Sequence, residues 1–319
     1  MDILLLLIGF VLLIVGADKL VDGASSISRN LKIPNIVIGL TIVAFGTSAP
    51  ELVVNAFSSY EGHNALVMGN VLGSNIFNIA VILGLTAIFR PLVVKRNTTW
   101  LEIPFNLLAI TVVALICLDI SLGAHNENMI TKSDALVLLA FFIIFLVYNI
   151  ELSLKGEEEI EIEGSEKSMS NAKGMLLLAF GLVGLIVGGK LIVDSAVNIA
   201  STFGMSERLI GLTIVSIGTS LPELATSIVA VRKGKVDIAV GNVIGSNIFN
   251  IFFVLGISGL INNIPVPNNS FMDIHVNIAL GILLMLFVFI GKGRKIVRIE
   301  GIFLLLIYLC YMGYLILYA

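Results

Sequence analysis

Residues 39–52 read GLTIVAFGTSAPEL, and residues 211–224 read GLTIVSIGTSLPEL. A second pair follows at the same offset of 172 residues, the difference between 39 and 211: GNVLGSNIFNI at 69–79 and GNVIGSNIFNI at 241–251. This offset aligns residues 9–84 with residues 181–256 without a gap. The chain is therefore an internal duplication, and the two motifs are the segments that its copies share most closely.

The composition is that of a membrane protein. Of 319 residues, 57% are hydrophobic and 13% are charged, whereas soluble domains average about 25% charged residues. Apolar runs that suit a bilayer, at about 20 residues each, predict ten transmembrane helices. Their approximate bounds are 2–28, 35–60, 64–88, 101–120, 133–153, 173–200, 209–231, 236–261, 271–291 and 297–318.

The repeat predicts how these helices are arranged. Each copy has five helices, an odd number, so two equally connected copies cross the membrane in opposite directions. We predict an all-α membrane protein with ten transmembrane helices as two inverted five-helix repeats, 1–153 and 173–319. Inverted repeats are typical of secondary transporters, whose sites lie between the repeats near the membrane midplane. The acidic linker at 154–172 is interpreted as a solvated segment, with regulatory cation binding as the alternative.

The basic residues predict the orientation of the chain. Fifteen of the 19 lysines and arginines lie on one side of the ten-helix arrangement, which the positive-inside rule makes cytoplasmic. The acidic linker is then cytoplasmic, both termini lie outside, and the protein is placed in the cell membrane. The fifteen residues are Arg29, Lys32, Arg90, Lys95, Arg96, Lys155, Lys167, Lys173, Arg232, Lys233, Lys235, Lys292, Arg294, Lys295 and Arg298.

Each GTSxPE motif places a glutamate at membrane depth, Glu51 in the first copy and Glu223 in the second. The glycine and proline of the motif interrupt the helix and free backbone carbonyls. An acidic residue there costs at least about 2.5 kcal/mol on insertion scales and is functional by default. The alternative is a capping box, in which Ser-x-Pro-Glu only caps the restarting helix. We interpret the two glutamates as cation ligands that meet at the repeat interface.

The GNxxGSNIxNI motif supplies neutral oxygens on one helix face, because its polar residues recur every four positions. Some of them are interpreted as links between helices, namely Asn70, Asn75, Asn242 and Asn247. The others are either such links or cation ligands, namely Ser74, Asn78, Ser246 and Asn250. Carboxylate, hydroxyl, amide and carbonyl oxygens suit calcium and sodium, and do not suit zinc or copper.

The paired motifs resemble the two alpha-repeats of the calcium/cation antiporter superfamily, in its prokaryotic sodium/calcium exchanger branch. The resemblance covers essentially the whole chain. It implies exchange of calcium for sodium by alternating access, with the first and sixth helices sliding across the rest. The implied ligands are the side chains of Glu51, Glu223, Ser48, Ser220, Ser74, Ser246, Asn78 and Asn250, and the backbone carbonyls of Thr47, Thr219, Ala44 and Ser216.

The sequence departs from this family at one position, because well-described archaeal relatives carry aspartate where this chain has Asn250. The runner-up function is a calcium/proton antiporter, although those proteins usually carry GNxxE in place of GTSxPE. A cation channel is a further alternative.

The sequence has no HExxH and no GxSxG motif, so no enzyme is predicted. The expected partners are calcium, sodium and the lipid bilayer, with no cofactor, nucleic acid or obligatory protein partner.

Overall fold

The computed structural model describes residues 2–94, 98–119, 127–155, 169–203, 216–268, 270–290 and 293–318. The helices in these ranges are α1 (Asp2–Leu31), α2 (Asn35–Ile38), α3 (Ala44–Thr47), α4 (Ala49–Tyr60), α5 (Asn64–Phe77), α6 (Gly84–Phe89), α7 (Ile103–Ile116), α8 (Lys132–Lys155), α9 (Asn171–Thr202), α10 (Ser216–Thr219), α11 (Leu221–Arg232), α12 (Val236–Ile248), α13 (Leu255–Ile261), α14 (Ser270–Ile290) and α15 (Arg298–Tyr318). π-helical segments interrupt or extend them at Gly39–Val43, Asn78–Leu83, Thr98–Glu102 and Phe249–Val254. The strands are β1 (Leu92–Val93), β2 (Met129–Ile130), β3 (Ile264–Pro265) and β4 (Lys295–Ile296).

The described residues form seven helices that are long and apolar enough to cross a membrane. An eighth is counted when Asn35–Thr47 and Ala49–Tyr60 are taken as one broken span. The apolar helix at Trp100–Ile116 is shorter than these. At a rise of about 1.5 Å per residue, about 17 residues reach only about 25 Å, less than the thickness of the hydrocarbon core. The predicted start of the seventh span at 209 and the linker residues 156–168 lie outside the described residues. The helical membrane fold is confirmed, and the number ten stays a prediction.

The chain divides into two compact units, and unit 1 contains Met1–Ser48 and Ile144–Gly245. Its two longest helices, α1 and α9, pack along glycines spaced by seven residues. The pairs are Gly9 with Gly188, Gly16 with Gly181, and Gly23 with Gly174. A Cβ added at Gly16 would lie 2.9 Å from the carbonyl oxygen of Gly181 and 2.8 Å from the nitrogen of Leu185. The two backbones therefore touch, as small residues allow in membrane helix pairs.

This close packing predicts that Gly16→Ala destabilises the protein. The added methyl group meets backbone atoms that cannot rotate away, so the two helices must separate, at a cost of about 1–3 kcal/mol. Thermal unfolding of the detergent-purified protein measures the effect. Gly313→Ala is the matched control, because a Cβ at that helical glycine meets nothing within 4 Å. Equal melting temperatures for the two variants would contradict the packing argument.

Unit 2 contains Ala49–Ile143 and Ser246–Ala319. Two short antiparallel pairs join its loops, with Leu92 opposite Ile296 and Ile130 opposite Ile264. Leu92 and Ile264 are equivalent under the 172-residue offset. Each copy therefore contributes a strand that pairs with a strand of the other copy. The sequence did not predict these strands, because two residues are too few to show an alternating pattern.

Buried apolar side chains of helices from both copies form one core cluster of unit 2. This cluster contains Ile76, Ile79, Ala80, Leu280, Leu304 and Tyr311. Two of its members belong to the GNxxGSNIxNI motif, Ile76 near the end of α5 and Ile79 in the π-helical segment that follows. The apolar residues of this motif therefore pack into the cluster, and its polar residues carry the candidate site.

Candidate cation site

Both GTSxPE motifs interrupt a helix at their serine. Ser48 has φ −87° and ψ 6°, and Ser220 has φ −90° and ψ 5°, a sparsely populated region of backbone conformation. Helices α4 and α11 begin at the next residue, with a proline in the first turn, where a missing N–H has no cost. Ser220 makes no side-chain cap hydrogen bond. The serine half of a capping box is therefore missing in the second copy.

Glu223 lies in unit 1 and is fully buried, with 0% of its surface exposed. The hydroxyl of Ser48 donates a hydrogen bond to its Oε1 at 2.9 Å. A carboxylate at this depth is costly unless it has a partner charge or hydrogen bonds. This contact is important because Ser48 belongs to the first copy of the motif and Glu223 to the second.

Asn242 holds the surroundings of this glutamate together. Its Oδ1 accepts a hydrogen bond from Thr47 Oγ1 at 3.0 Å. Its Nδ2 donates to Ser227 Oγ at 3.1 Å and to the backbone oxygen of Glu223 at 3.3 Å. Helix α12 is thereby linked to α3 and α11, as expected for a side chain interpreted as a link between helices.

In unit 2, Glu51 is 1% exposed and lies in the first turn of α4. Its backbone oxygen accepts a hydrogen bond from Asn55 Nδ2 at 2.7 Å. Asn55 and Ser227 are equivalent under the 172-residue offset, and each lies four residues after its glutamate. Neither residue was predicted as functional from the sequence. The four-residue spacing, which puts both residues of a pair on one helix face, is the signal that would have found them.

Four buried asparagines of unit 2 bond to one another, and we call Asn75, Asn78, Asn247 and Asn250 the asparagine quartet. Asn78 Nδ2 donates to Asn247 Oδ1 at 2.9 Å, and Asn250 Nδ2 donates to Asn75 Oδ1 at 3.2 Å. The π-helical segments Asn78–Leu83 and Phe249–Val254 begin at or next to two of these residues. Such segments are frequent at functional sites, and nothing in the sequence predicted them.

Several neutral oxygens in unit 2 are buried and accept no hydrogen bond from any described residue. Three of them belong to predicted ligands: Ser74 Oγ, Asn78 Oδ1 and Asn250 Oδ1. All three residues are at most 1% exposed. Oxygens of this kind are available as ligands of a hard cation.

The predicted ligands are distributed over both units. Unit 1 contains Ala44, Thr47, Ser48, Ser216, Thr219, Ser220 and Glu223, and unit 2 contains Glu51, Ser74, Asn78, Ser246 and Asn250. In this structure the carbonyl oxygen of Ala44 already accepts hydrogen bonds from the Ser48 nitrogen at 2.9 Å and the Thr47 hydroxyl at 3.3 Å. Hydrogen bonds thus join some of the predicted residues directly, and the full ligand set stays a prediction.

The chain matches the family model described as sodium/calcium exchanger protein, over residues 1–151 and 173–317. The protein belongs to the sodium/calcium exchanger family. This match covers nearly all of both predicted repeats and leaves out the acidic linker. As members of a transporter family, its relatives are exchangers rather than enzymes. The expected superfamily and branch are confirmed, and the apolar helices agree with a multi-pass membrane protein.

Three similar proteins show that the likeness extends along nearly the whole chain. The putative antiporter CaxA of Alkalimonas amylolytica is 40% identical, over 96% of this chain and 95% of its own length. The sodium/calcium exchanger MaX1 of Methanosarcina acetivorans is 33% identical, over 98% and 97%. A solved structure of the sodium-calcium exchanger NCX_Mj, soaked with sodium and strontium, is 36% identical with a TM-score of 0.84, over 98% of this chain and 99% of that one.

Proposed function

We propose that this protein exchanges calcium for sodium across the cell membrane by alternating access. The observation that carries the proposal is the hydrogen bond from Ser48 to Glu223. It joins the GTSxPE motif of one copy to the glutamate of the other, which is the arrangement that a site shared by two repeats needs. The relatives whose names describe sodium/calcium exchange cover nearly the whole chain, so the activity is proposed for the entire protein.

Charge balance favours calcium as one transported ion. Glu51 and Glu223 are 1% and 0% exposed, and a buried carboxylate loses several kcal/mol of hydration. Two such carboxylates match the charge of one calcium ion. Calcium takes six to eight oxygen ligands in flexible geometry, and the buried oxygens of Ser74, Asn78 and Asn250 supply neutral ones. Two sodium ions or more can replace that calcium ion without leaving the carboxylates unpaired.

The proposed ligands are the twelve predicted residues, with the glutamates shared by calcium and sodium. Side-chain oxygens come from Glu51, Glu223, Ser48, Ser220, Ser74, Ser246, Asn78 and Asn250, and backbone oxygens come from Thr47, Thr219, Ala44 and Ser216. The proposed architecture is ten helices in two inverted repeats, with both termini outside and the linker in the cytoplasm. The reciprocal strand pairs in unit 2 support the repeat.

A flux experiment with reconstituted vesicles tests the function. Vesicles loaded with sodium chloride are diluted into sodium-free buffer that contains radioactive calcium, with the membrane potential clamped by potassium and valinomycin. We expect calcium uptake that saturates with calcium and stops when sodium is equal on both sides. The same vesicles with a pH gradient and no sodium gradient are the control, and we expect no uptake from them.

Two outcomes would replace the proposal with an alternative. Uptake that follows the pH gradient and ignores sodium indicates the calcium/proton antiporter. Uptake that needs no counter-ion and does not saturate indicates a channel. The Asn250 side chain is a neutral amide that cannot carry a proton, which favours sodium over protons as the counter-ion.

A further inference from the structure

Backbone carbonyls fix the direction of two amides in the asparagine quartet, those of Asn75 and Asn247. Asn75 Nδ2 donates to the backbone oxygen of Asn247 at 3.2 Å, and Asn247 Nδ2 donates to the backbone oxygen of Asn75 at 3.4 Å. A backbone oxygen only accepts, so the amide group that reaches it must be the NH₂. The side-chain oxygens of Asn75 and Asn247 therefore point the other way, toward the remaining two members of the quartet.

The side-chain amides of Asn78 and Asn250 can bond to these oxygens in only one orientation. The atom of Asn250 next to Asn75 Oδ1 must be the NH₂, because two facing carbonyl oxygens would repel. The same argument applies to Asn78 beside Asn247 Oδ1. Rotating either amide by 180° would bring two acceptors together in a place with at most 1% exposure. The quartet thus has one arrangement in which no two acceptors face each other.

This arrangement leaves the Oδ1 atoms of Asn78 and Asn250 on the opposite side of each amide. Both atoms are buried and accept no hydrogen bond from a described residue. A buried carbonyl oxygen without a partner is unfavourable, and native proteins usually satisfy it with water or an ion. A hard cation such as calcium is a suitable partner for both oxygens.

We propose that Asn75 and Asn247 are positioning residues for the transported cation. Asn75 holds Asn250 with its oxygen toward the cation, and Asn247 does the same for Asn78. The pairing is crossed, because each positioning residue belongs to the other copy from the oxygen it orients. This inference rests on the proposed exchange function and extends it to two residues that touch no ion themselves.

The quartet also explains in structural terms why position 250 is an asparagine and not an aspartate. An aspartate at this position has no NH₂, so its carboxylate would lie against Asn75 Oδ1, where the present donor–acceptor distance is 3.2 Å. Two acceptors at that distance repel, and a carboxylate has no proton to offer unless it is neutralised. In this chain the amide at position 250 and the amide at position 75 therefore function as a pair.

Equilibrium binding of radioactive calcium to the purified full-length protein tests the proposal. Asn75→Leu and Asn247→Leu remove the orienting oxygens at nearly constant volume, and each is expected to raise the calcium Kd about five- to tenfold, the loss of roughly one hydrogen bond. Each is then combined with Asn250→Ser or Asn78→Ser, which keep an oxygen but have no amide to orient. Asn149→Leu is the matched control for a buried asparagine, since it removes one bond to Phe145 within its own helix.

The crossed pattern is the result that only a positioning role produces. Asn75→Leu is expected to lose its effect on the Kd in the Asn250→Ser background and to keep it in the Asn78→Ser background, and Asn247→Leu is expected to behave in reverse. Equal factors in both backgrounds, or an unchanged Kd in the single variants, would overturn the proposal. If Asn75→Leu fails to fold while the Asn149→Leu control folds, Asn75→Ala removes the same oxygen.

The vesicle experiment separates this proposal from the function on which it rests. Wild-type protein that shows neither calcium binding nor sodium-dependent uptake would overturn both. Wild-type protein that exchanges calcium for sodium, with variants that lack the crossed pattern, would overturn the positioning role alone. Turnover at saturating calcium gives a further distinction, because a purely structural role lowers the maximal rate and leaves the half-saturating calcium concentration unchanged.

Discussion

Glu223→Gln is expected to abolish sodium-dependent calcium uptake while the protein stays folded. Glutamine keeps an oxygen that can accept the hydrogen bond from Ser48, which is 2.9 Å long in the native protein. The substitution therefore removes the charge and leaves the local contacts nearly intact. Losing a buried charge that faces a cation costs about 3–5 kcal/mol, which corresponds to at least a hundredfold weaker calcium binding. Glu51→Gln is expected to have the same effect, since the two positions are equivalent in the repeat.

The measurement is initial calcium uptake into sodium-loaded vesicles, with the amount of folded protein determined by size-exclusion chromatography in detergent. Glu61→Gln is the control, because this acid is 59% exposed and its neighbour within ionic distance is His63. We expect the control to transport like the wild type. Near-normal uptake by Glu223→Gln or Glu51→Gln would show that the glutamate concerned is not an essential ligand.

Asn242→Leu is expected to destabilise the folded protein by about 3–5 kcal/mol, because it leaves several buried polar groups without a partner. The native side chain bonds to Thr47, Ser227 and the backbone of Glu223. Leucine has a similar volume and none of these bonds. The helices that carry the two GTSxPE motifs would lose one of the links between them, so exchange activity is expected to fall with stability.

Thermal unfolding in detergent measures this effect, and Asn149→Leu again provides the comparison. Asn149 is 1% exposed, yet among the described residues its amide bonds only to the backbone oxygen of Phe145 at 2.8 Å, one turn earlier in α8. The control variant is expected to lose much less stability than Asn242→Leu. Similar melting temperatures for both variants would mean that the contacts of Asn242 contribute no more than those of an ordinary buried asparagine.

The sequence by itself determined the class of the protein and the identity of its candidate ligands. Long apolar runs cannot be buried in a chain of this size without a membrane, so the helical membrane fold follows from composition. The duplicated GTSxPE segment identified Glu51 and Glu223 because an acid at membrane depth is too costly to occur without a function. The family match over both repeats agrees with this reasoning. A repeat is visible in sequence because the same residues return at one offset.

Other predictions from the sequence were less complete. The polar face of each GNxxGSNIxNI motif could be recognised from its four-residue spacing, but its links and its ligands could not be told apart by residue type. An asparagine can donate, accept or do both. The strands in the loops and the π-helical segments at Asn78 and Asn250 leave no periodic signal, and Asn55 and Ser227 were overlooked.

Only the tertiary structure decided how these side chains bond. Ser48 and Glu223 are 175 residues apart, and a hydrogen bond between them depends on how the helices pack rather than on either local sequence. The same is true of the crossed bonds in the asparagine quartet, where the amides of Asn75 and Asn247 each take their direction from a backbone carbonyl of the other copy. Local sequence specifies which groups are available, and packing specifies which atom of each group remains free to meet an ion.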